Sequence, residues 1–259
     1  VPPRPDPGFP YHRIVDDLRS EILSGNLAPG SRIHSEWSLA SKYDTSRPTV
    51  RRALAVLKSE GLVVTRQGQG SFVRSLPPVH LSMGGMHLRG DRRRSGRPGL
   101  IEQLEEQGHH PELVLDAVSV VKAPDYVAER LDIEPHADVV LRGELLVVNG
   151  DLMGTSDRYF PLAIAEGTAI AEAQPVPGGI LALIEDPDGP IRRTMERSVD
   201  EITSRLPTER EAAKLGIPRS LPVSRLLRTG YDTTGTAIEV REALGVADRY
   251  EFRYEANFR

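Results

Sequence analysis

The chain has 259 residues, a formal charge of −4 and no cysteine. That length admits one large domain or two modest ones, and the missing cysteines exclude disulfides, thiol catalysis and zinc fingers. No apolar run approaches the roughly 18 residues of a membrane span, and Val1-Pro2-Pro3-Arg4-Pro5 has no signal-peptide shape, so a soluble, cytoplasmic protein is expected.

The charge is unevenly spread. Residues 11–75 hold ten Lys/Arg against six Asp/Glu, and residues 76–99 hold five against one. Residues 100–259 hold 17 against 29. Any contact with nucleic acid is therefore expected in the N-terminal third, since the acidic remainder repels phosphate.

Along the chain, Tyr11, Ile14, Val15, Leu18, Ile22 and Leu23 recur at helical spacing and Gly25 ends the run. Pro29-Gly30 is a turn before Arg32-Ile33, a short strand. Ser35 caps a second helix, with Glu36 in its electropositive first turn. Ser46 caps a third, with Pro48 where a missing N–H costs nothing. Val50, Ala53, Leu54 and Leu57 form its apolar stripe. Arg47 and Arg51 lie on one side of that stripe and Arg52 farther round. Gly61 stops the helix. Leu62-Val63-Val64 and Ser71-Phe72-Val73 are strands around the tip Arg66-Gln67-Gly68-Gln69-Gly70. Two short helices, a tight turn and a glycine-tipped hairpin make a winged helix-turn-helix, which sets the start of its second helix against base edges.

This run is similar to the DNA-binding domain of the GntR family. The resemblance rests on Gly25, Pro29-Gly30, Ser35-Glu36, Leu39-Ala40, Ser46-Arg47-Pro48-Thr49-Val50-Arg51, Glu60-Gly61-Leu62 and Gly68-x-Gly70-Ser71-Phe72-Val73. It implies operator contacts by Ser46, Arg47, Thr49 and Arg51, joined by Gln67 and Gly68 of the wing; Arg52, on the same helix, is taken with them. Trp37 stands where many members have arginine, and His34 where many have proline. Trp37 is either a contact to the DNA sugar-phosphate edge or an apolar anchor on the domain surface.

Residues 76–99 lack periodicity and read as a flexible basic linker, in which Arg92, Arg93 and Arg94 could also grip phosphates. Beyond it, Leu100 to Leu104 is helical, Val114 to Val121 a strand, and Val127 to Leu131 a short helix. Val139–Val148 and Leu152–Phe160 flank Asn149-Gly150-Asp151, a hairpin turn. Residues 162–173 and 208–215 read as helices, and 223–231, 238–244 and 250–258 as strands. The fold class is α+β, with an antiparallel sheet and helices on its faces.

Residues 100–259 resemble the UTRA effector-binding domain of the HutC branch of GntR regulators. The matching pieces are Val148-Asn149-Gly150-Asp151, Tyr159-Phe160-Pro161, Glu201-x-x-x-Arg205-x-Pro207, Glu211-Ala212, Leu215-Gly216-Ile217 and Tyr231-Asp232-x-x-Gly235-x-x-Ile238-Glu239-Val240. The resemblance implies a chorismate-lyase-like fold, a small-molecule effector and a homodimer. An Arg-x-Arg pair that holds phosphosugars in some members falls on Glu144 and Leu146 here, so a simple phosphosugar is not expected. Candidate effector-binding residues are Arg142, Glu144, Ser156, Arg158, Arg205, Glu242 and Tyr250. Competing readings make Arg142 and Glu144 a same-face ion pair, Glu201 and Arg205 another, and Tyr250 a sheet-packing partner of Phe252 and Tyr254. His109-His110 lacks a third ligand at metal spacing, so neither metal nor cofactor is expected.

The expected function is a ligand-responsive transcription regulator, a repressor that a small-molecule effector releases from a palindromic operator. The alternatives are an enzyme of chorismate-lyase-like fold and a ligand-independent DNA-binding protein. Against the enzyme stand the absence of a Gly-x-Ser-x-Gly elbow and of a phosphate-binding glycine loop.

Overall fold

Ser46 and Ser35 act as the sequence requires: each side chain accepts the backbone N–H three residues on, from Thr49 and Ser38 respectively. They begin α2, Glu36–Lys42, and α3, Arg47–Ser59, which follow α1, Pro10–Leu23. A computed structural model describes these and the remaining elements over residues 10–66, 68–74, 79–83 and 99–255. Ile14, Val15 and Leu18 of α1 pack with Leu39 of α2 and with Val50, Ala53, Leu54 and Leu57 of α3 in one buried cluster. Gly61 leaves α3 at φ +74°, a turn that only glycine takes without strain. The wing is β1, Val63–Arg66, antiparallel to β2, Gly70–Val73, and Arg32 bridges Phe72 at its side.

The chain divides into two compact units, residues 1–77 with 206–222 and residues 78–205 with 223–259. The 206–222 segment carries α8, Glu209–Leu215, whose Thr208 and Glu211 form a reciprocal capping box.

In the second unit β3, Val79–Ser82, precedes α4, Gly99–Glu106. Then come β4, Pro111–Lys122, α5, Asp125–Leu131, β5, Asp138–Val148, and β6, Asp151–Pro161. After α6, Leu162–Ala165, and α7, Ile180–Glu185, the chain runs through β7, Met195–Arg205, β8, Val223–Asp232, β9, Ala237–Val246, and β10, Tyr250–Arg253. One antiparallel sheet has the order β4-β5-β6-β9-β8-β7, and β10 pairs with β3 in parallel. Strand alternation divides the sheet's side chains between two faces. On the first, Val139, Tyr159, Leu227 and Val240 bury against Val127, Ala128 and Leu131 of α5. On the second, Val140, Phe160 and Ile238 bury against α6 and α7, while Leu146, Val148 and Met153 pack with Val79 and Leu104.

Three sequence expectations need correction. Residues 79–82, read as linker, are a strand, because Val79 is buried in the core beside Leu104. Residues 162–173 are not one helix: Gly167, at φ +72°, separates α6 from a 3₁₀ turn at Ala169–Ala171 capped by Thr168. The edge strand β7 was not expected, since most of its side chains are exposed and its apolar residues do not alternate. Gln67, Arg92, Arg93 and Arg94 lie outside the described residues.

The turn after β8 is pinned by Asp232, which is 3% exposed. Burial disfavours its charge, yet it accepts from Thr234 Oγ1 (2.7 Å) and the Thr234 and Thr236 amides (2.9 and 3.0 Å), and it pairs with Arg193. The balance lowers its pKa to about 2. A carboxyl depressed in the folded state adds stability above its unfolded pKa and loses it as pH falls through the folded one. From that shift, the pH-linked part of the stability difference between wild type and Asp232→Ala should be about 2 kcal/mol at pH 7 and vanish near pH 2. Urea unfolding from pH 2 to 6 measures it; a difference independent of pH would contradict the pairing.

Candidate DNA-binding surface and ligand pocket

The N-terminal end of α3 is open to solvent. Ser46 Oγ lies 2.8 Å from Thr49 Oγ1, so both hydroxyls are held at the first turn. Arg47 and Arg51 project beside them, 59% and 64% exposed, and both reach Glu36 of α2. Arg51 donates through Nε to Oε1 at 3.0 Å and through Nη2 to Oε2 at 2.9 Å; Arg47 Nη2 adds a 3.2 Å bond to Oε2. The bond from Arg51 leads in holding the Glu36 carboxyl below its ordinary range, with partial burial opposing and Arg47 assisting. One carboxylate thus aligns two guanidinium groups on the exposed side of the helix.

Arg52 is placed differently. Its guanidinium lies 4.3 Å from the centre of the Tyr11 ring, which turns it toward α1 and away from Arg47 and Arg51. Gly68, at φ +72°, forms the wing tip, and Arg66, at the tip end of β1, stacks on Phe72 of β2, 4.9 Å from its ring centre. Trp37 is 73% exposed, so it is not an apolar anchor within its own domain.

In the second unit a cavity of about 110 Å³ opens on the second face of the sheet. Its apolar walls include Leu81, Leu113, Leu146, Leu226 and Phe252, and its polar floor Ser156, Ser224, Arg228 and Arg241. Two paired glycines shape one end. A side chain at Gly245 would overlap the ring of Tyr250, and one at Gly154 would meet its hydroxyl at 2.8 Å, so Tyr250 lies where their side chains would be. Tyr250 also stacks on Phe252, with rings 6.0 Å apart and 8° from parallel. It is therefore both a packing residue and a wall of the cavity.

Across the floor runs a row of arginines set by strand register. Arg142 of β5 pairs with Arg158 of β6, Arg158 with Arg241 of β9, and Arg241 with Arg228 of β8. Arg228 is clamped by both oxygens of Asp200 at 2.6 and 2.7 Å, and Arg158 meets Glu239 at 2.7 Å. Arg142, 1% exposed, donates to the carbonyls of Ile170 (3.5 Å), Glu172 (2.9 Å) and Gln174, and its Nε lies 3.9 Å from Glu144. Arg241 alone of the four meets no carboxylate within 4 Å among the described residues; its Nε donates to Ser156 Oγ at 2.8 Å. Burial, then repulsion from Arg158 and Arg228, lowers its pKa to about 10.

Of the effector residues chosen from sequence, Ser156 and Tyr250 line this cavity, and Arg158, Arg142 and Glu144 sit on the same face. Glu242 does not. It lies on the opposite face, accepting from Tyr126 Oη at 2.6 Å and from Arg225 Nε. Arg205, in register with Val223, alternates away from Ser204 and Ser224 and also leaves the cavity face. Glu201 pairs with Arg130 at 2.6 Å, and the competing Glu201–Arg205 pair is out of reach because both residues lie on β7, four residues apart along an extended strand. Sequence reading missed Arg228 and Arg241, whose only signal is same-face parity with Ser156 across two strand pairings. The described residues contain no cluster of His, Asp or Glu fit for a metal, and no helix long and apolar enough to cross a membrane.

Comparison with known proteins agrees with both halves. Residues 10–73 match the model for bacterial regulatory proteins of the gntR family, and residues 106–251 match the UTRA domain. The chain is 27% identical over 243 residues to the HTH-type transcriptional repressor NagR of Bacillus subtilis, covering 93% of this chain and 92% of that one. It is 25% identical over 244 residues to the mannosyl-D-glycerate transport/metabolism system repressor MngR of Escherichia coli, covering 93% of each. Among solved structures, PhnF from Mycobacterium smegmatis aligns with a TM-score of 0.58 and 26% identity, over 95% of this chain and all of that one.

Proposed function

This chain belongs to the GntR family of bacterial regulatory proteins and carries a UTRA domain, and on that footing we propose that it is a homodimeric repressor of a palindromic operator, released when an effector fills the arginine-floored cavity. DNA binding and transcription regulation are properties of the family, which is one of regulators and not of enzymes. The observation that carries the DNA half is the open start of α3, where Ser46, Arg47, Thr49 and Arg51 stand together with two guanidinium groups already oriented. Such a helix enters the major groove by that end. Exposed Trp37 on α2 is suited to the sugar edge of the flanking backbone, and Gly68 lets the wing tip approach the adjoining groove.

Dimerisation is supported by β4. It is an edge strand of twelve residues whose Val114 and Val120 are 42% and 59% exposed, and an apolar, unpaired edge invites a second copy. Two heads would then meet half-sites about one helical turn, roughly 34 Å, apart. Repression is the activity named for NagR and MngR, and a DNA-bound role places the protein in the cytoplasm. An effector that binds the DNA-incompetent arrangement more tightly lowers operator affinity by the same factor.

Selection of bound fragments from genomic DNA, followed by footprinting, tests this reading. It should return an inverted repeat with half-sites about one turn apart, contacted by a dimer. Binding without sequence preference, or to a single half-site by a monomer, would overturn it.

A further inference from the structure

The cavity floor is unbalanced by one charge. Arg142, Arg158, Arg241 and Arg228 are four cations on one face, and Glu144, Glu239 and Asp200 supply three carboxylates. The unmatched one is Arg241. Its Nε is fixed by Ser156, and its two Nη groups have no hydrogen-bond partner among the described residues. Arg241 is part-buried and its Nη groups are not sealed from solvent, so water satisfies them until an anion, which bonds a guanidinium more strongly, displaces it. The same cavity is lined by Ser224, whose hydroxyl meets that of Ser204 at 3.3 Å, and by walls of leucine and phenylalanine.

Size and charge then restrict the occupant. A cavity of about 110 Å³ is several times the space one water needs, so it admits a small organic molecule and not merely a solvent ion. One excess positive charge matches a monoanion. A phosphate monoester, which carries about −1.5 to −2 near pH 7, would leave the floor negative, and walls of leucine and phenylalanine favour a hydrocarbon part over a ring of hydroxyls, for which Ser82, Gln103 and Ser224 are the chief uncharged polar neighbours. A planar carboxylate suits the free edge of a guanidinium.

We infer that the effector is a small amphipathic monocarboxylate, its carboxylate on Arg241 Nη and its hydrocarbon part between Leu81, Leu113, Leu146 and Phe252. The inference rests on the cavity's being the effector site and adds the chemistry of what fills it. Arg241 is the residue that sets the class, held by Ser156, while Arg158 and Arg228 are already paired with Glu239 and Asp200.

Calorimetric titration of the full chain with octanoate, octan-1-ol and glucose 6-phosphate tests it, repeated with Arg241→Gln and Arg241→Lys. Octanoate should bind the wild type, and octan-1-ol at least about 30-fold more weakly, the scale of a charge-assisted bond left unmade. Arg241→Gln should lose octanoate by a similar factor while its thermal midpoint stays level or rises, since an unpaired cation has gone. Arg241→Lys should recover part of the affinity. Equal octanoate binding by Arg241→Gln and the wild type would overturn the anchor. Binding of glucose 6-phosphate in preference to octanoate would overturn the chemical class and leave the cavity as the effector site. No binding by any of the three would overturn both. A fall in the midpoint of Arg241→Gln, with octanoate affinity kept in Arg241→Lys and octan-1-ol bound as well as octanoate, would assign Arg241 a packing role and also overturn it.

Discussion

Arg142→Ala should lower the stability of the effector domain by about 3–5 kcal/mol, the sum expected when a large buried side chain leaves a cavity and the carbonyls it satisfied lose their donor. Arg142 is the largest side chain buried to 1% exposure, and its guanidinium closes the end of the 3₁₀ turn by bonding the carbonyls of Ile170, Glu172 and Gln174. The charge is tolerated there because those carbonyls are spent on it and Glu144 stands 3.9 Å away. Burial pulls its pKa down from the ordinary arginine value, and Glu144 offsets part of that. Lysine cannot span three diverging carbonyls with one ammonium, so Arg142→Lys should recover only a minor part of the loss. For a domain of this size the alanine variant should melt roughly 10 °C lower. Circular dichroism on heating measures it. An unchanged midpoint combined with lost effector response would show that Arg142 contacts the ligand instead.

In sequence, Arg142 stands two residues before Glu144, where some family members hold a phosphate, and strand alternation puts it on the same face, which suggests a ligand role. The face was right, and the structure ties the side chain to backbone. What one sequence displays well is local: the caps at Ser35, Ser46 and Thr208, the Asn149-Gly150 hairpin with both residues at positive φ, and the apolar stripe of α3. Each depends on residues within one turn or one hairpin, so spacing alone reveals it. The arginine row is of another kind. It joins residues 142, 158, 228 and 241 through three strand pairings, and a slip of one residue in any of them would send a side chain to the other face.

Glu242 shows the consequence. Sequence alone points to Glu242 over its neighbour Arg241, yet register puts Arg241 opposite Arg158 and Glu242 opposite Asp157. No periodicity in residues 237–246 distinguishes the two choices, because β9 is covered on both faces and reads as a nearly continuous buried run. The irregularity between Gly230 and Tyr231 further obscures the parity between β8 and β9. The edge strand β7 was invisible for the opposite reason, having too little burial to leave a pattern.

Arg51→Ala should weaken operator binding roughly 10- to 100-fold while leaving the thermal midpoint of the head within a degree or two, since a lost base-edge contact is costly and a lost surface ion pair is not. The side chain is 64% exposed and among the described residues it bonds Glu36 alone, so nothing in the core depends on it. Glu36→Gln separates alignment from charge. Removing a carboxylate from a surface that approaches phosphate should tighten binding to random-sequence DNA about two- to fivefold, the range of an exposed ion pair. The same change frees Arg47 and Arg51 from their shared brace, so the preference for operator over random sequence should shrink. Fluorescence anisotropy on labelled duplexes at two salt concentrations reads both quantities, because phosphate contacts scale with salt and base-edge contacts far less. If Arg51→Ala lowered affinity equally for operator and random duplex and flattened the salt slope by about one, Arg51 would be a phosphate clamp, and base reading at the start of α3 would pass to Arg47 and Thr49. If it changed neither, the open end of α3 would not be the surface that meets DNA.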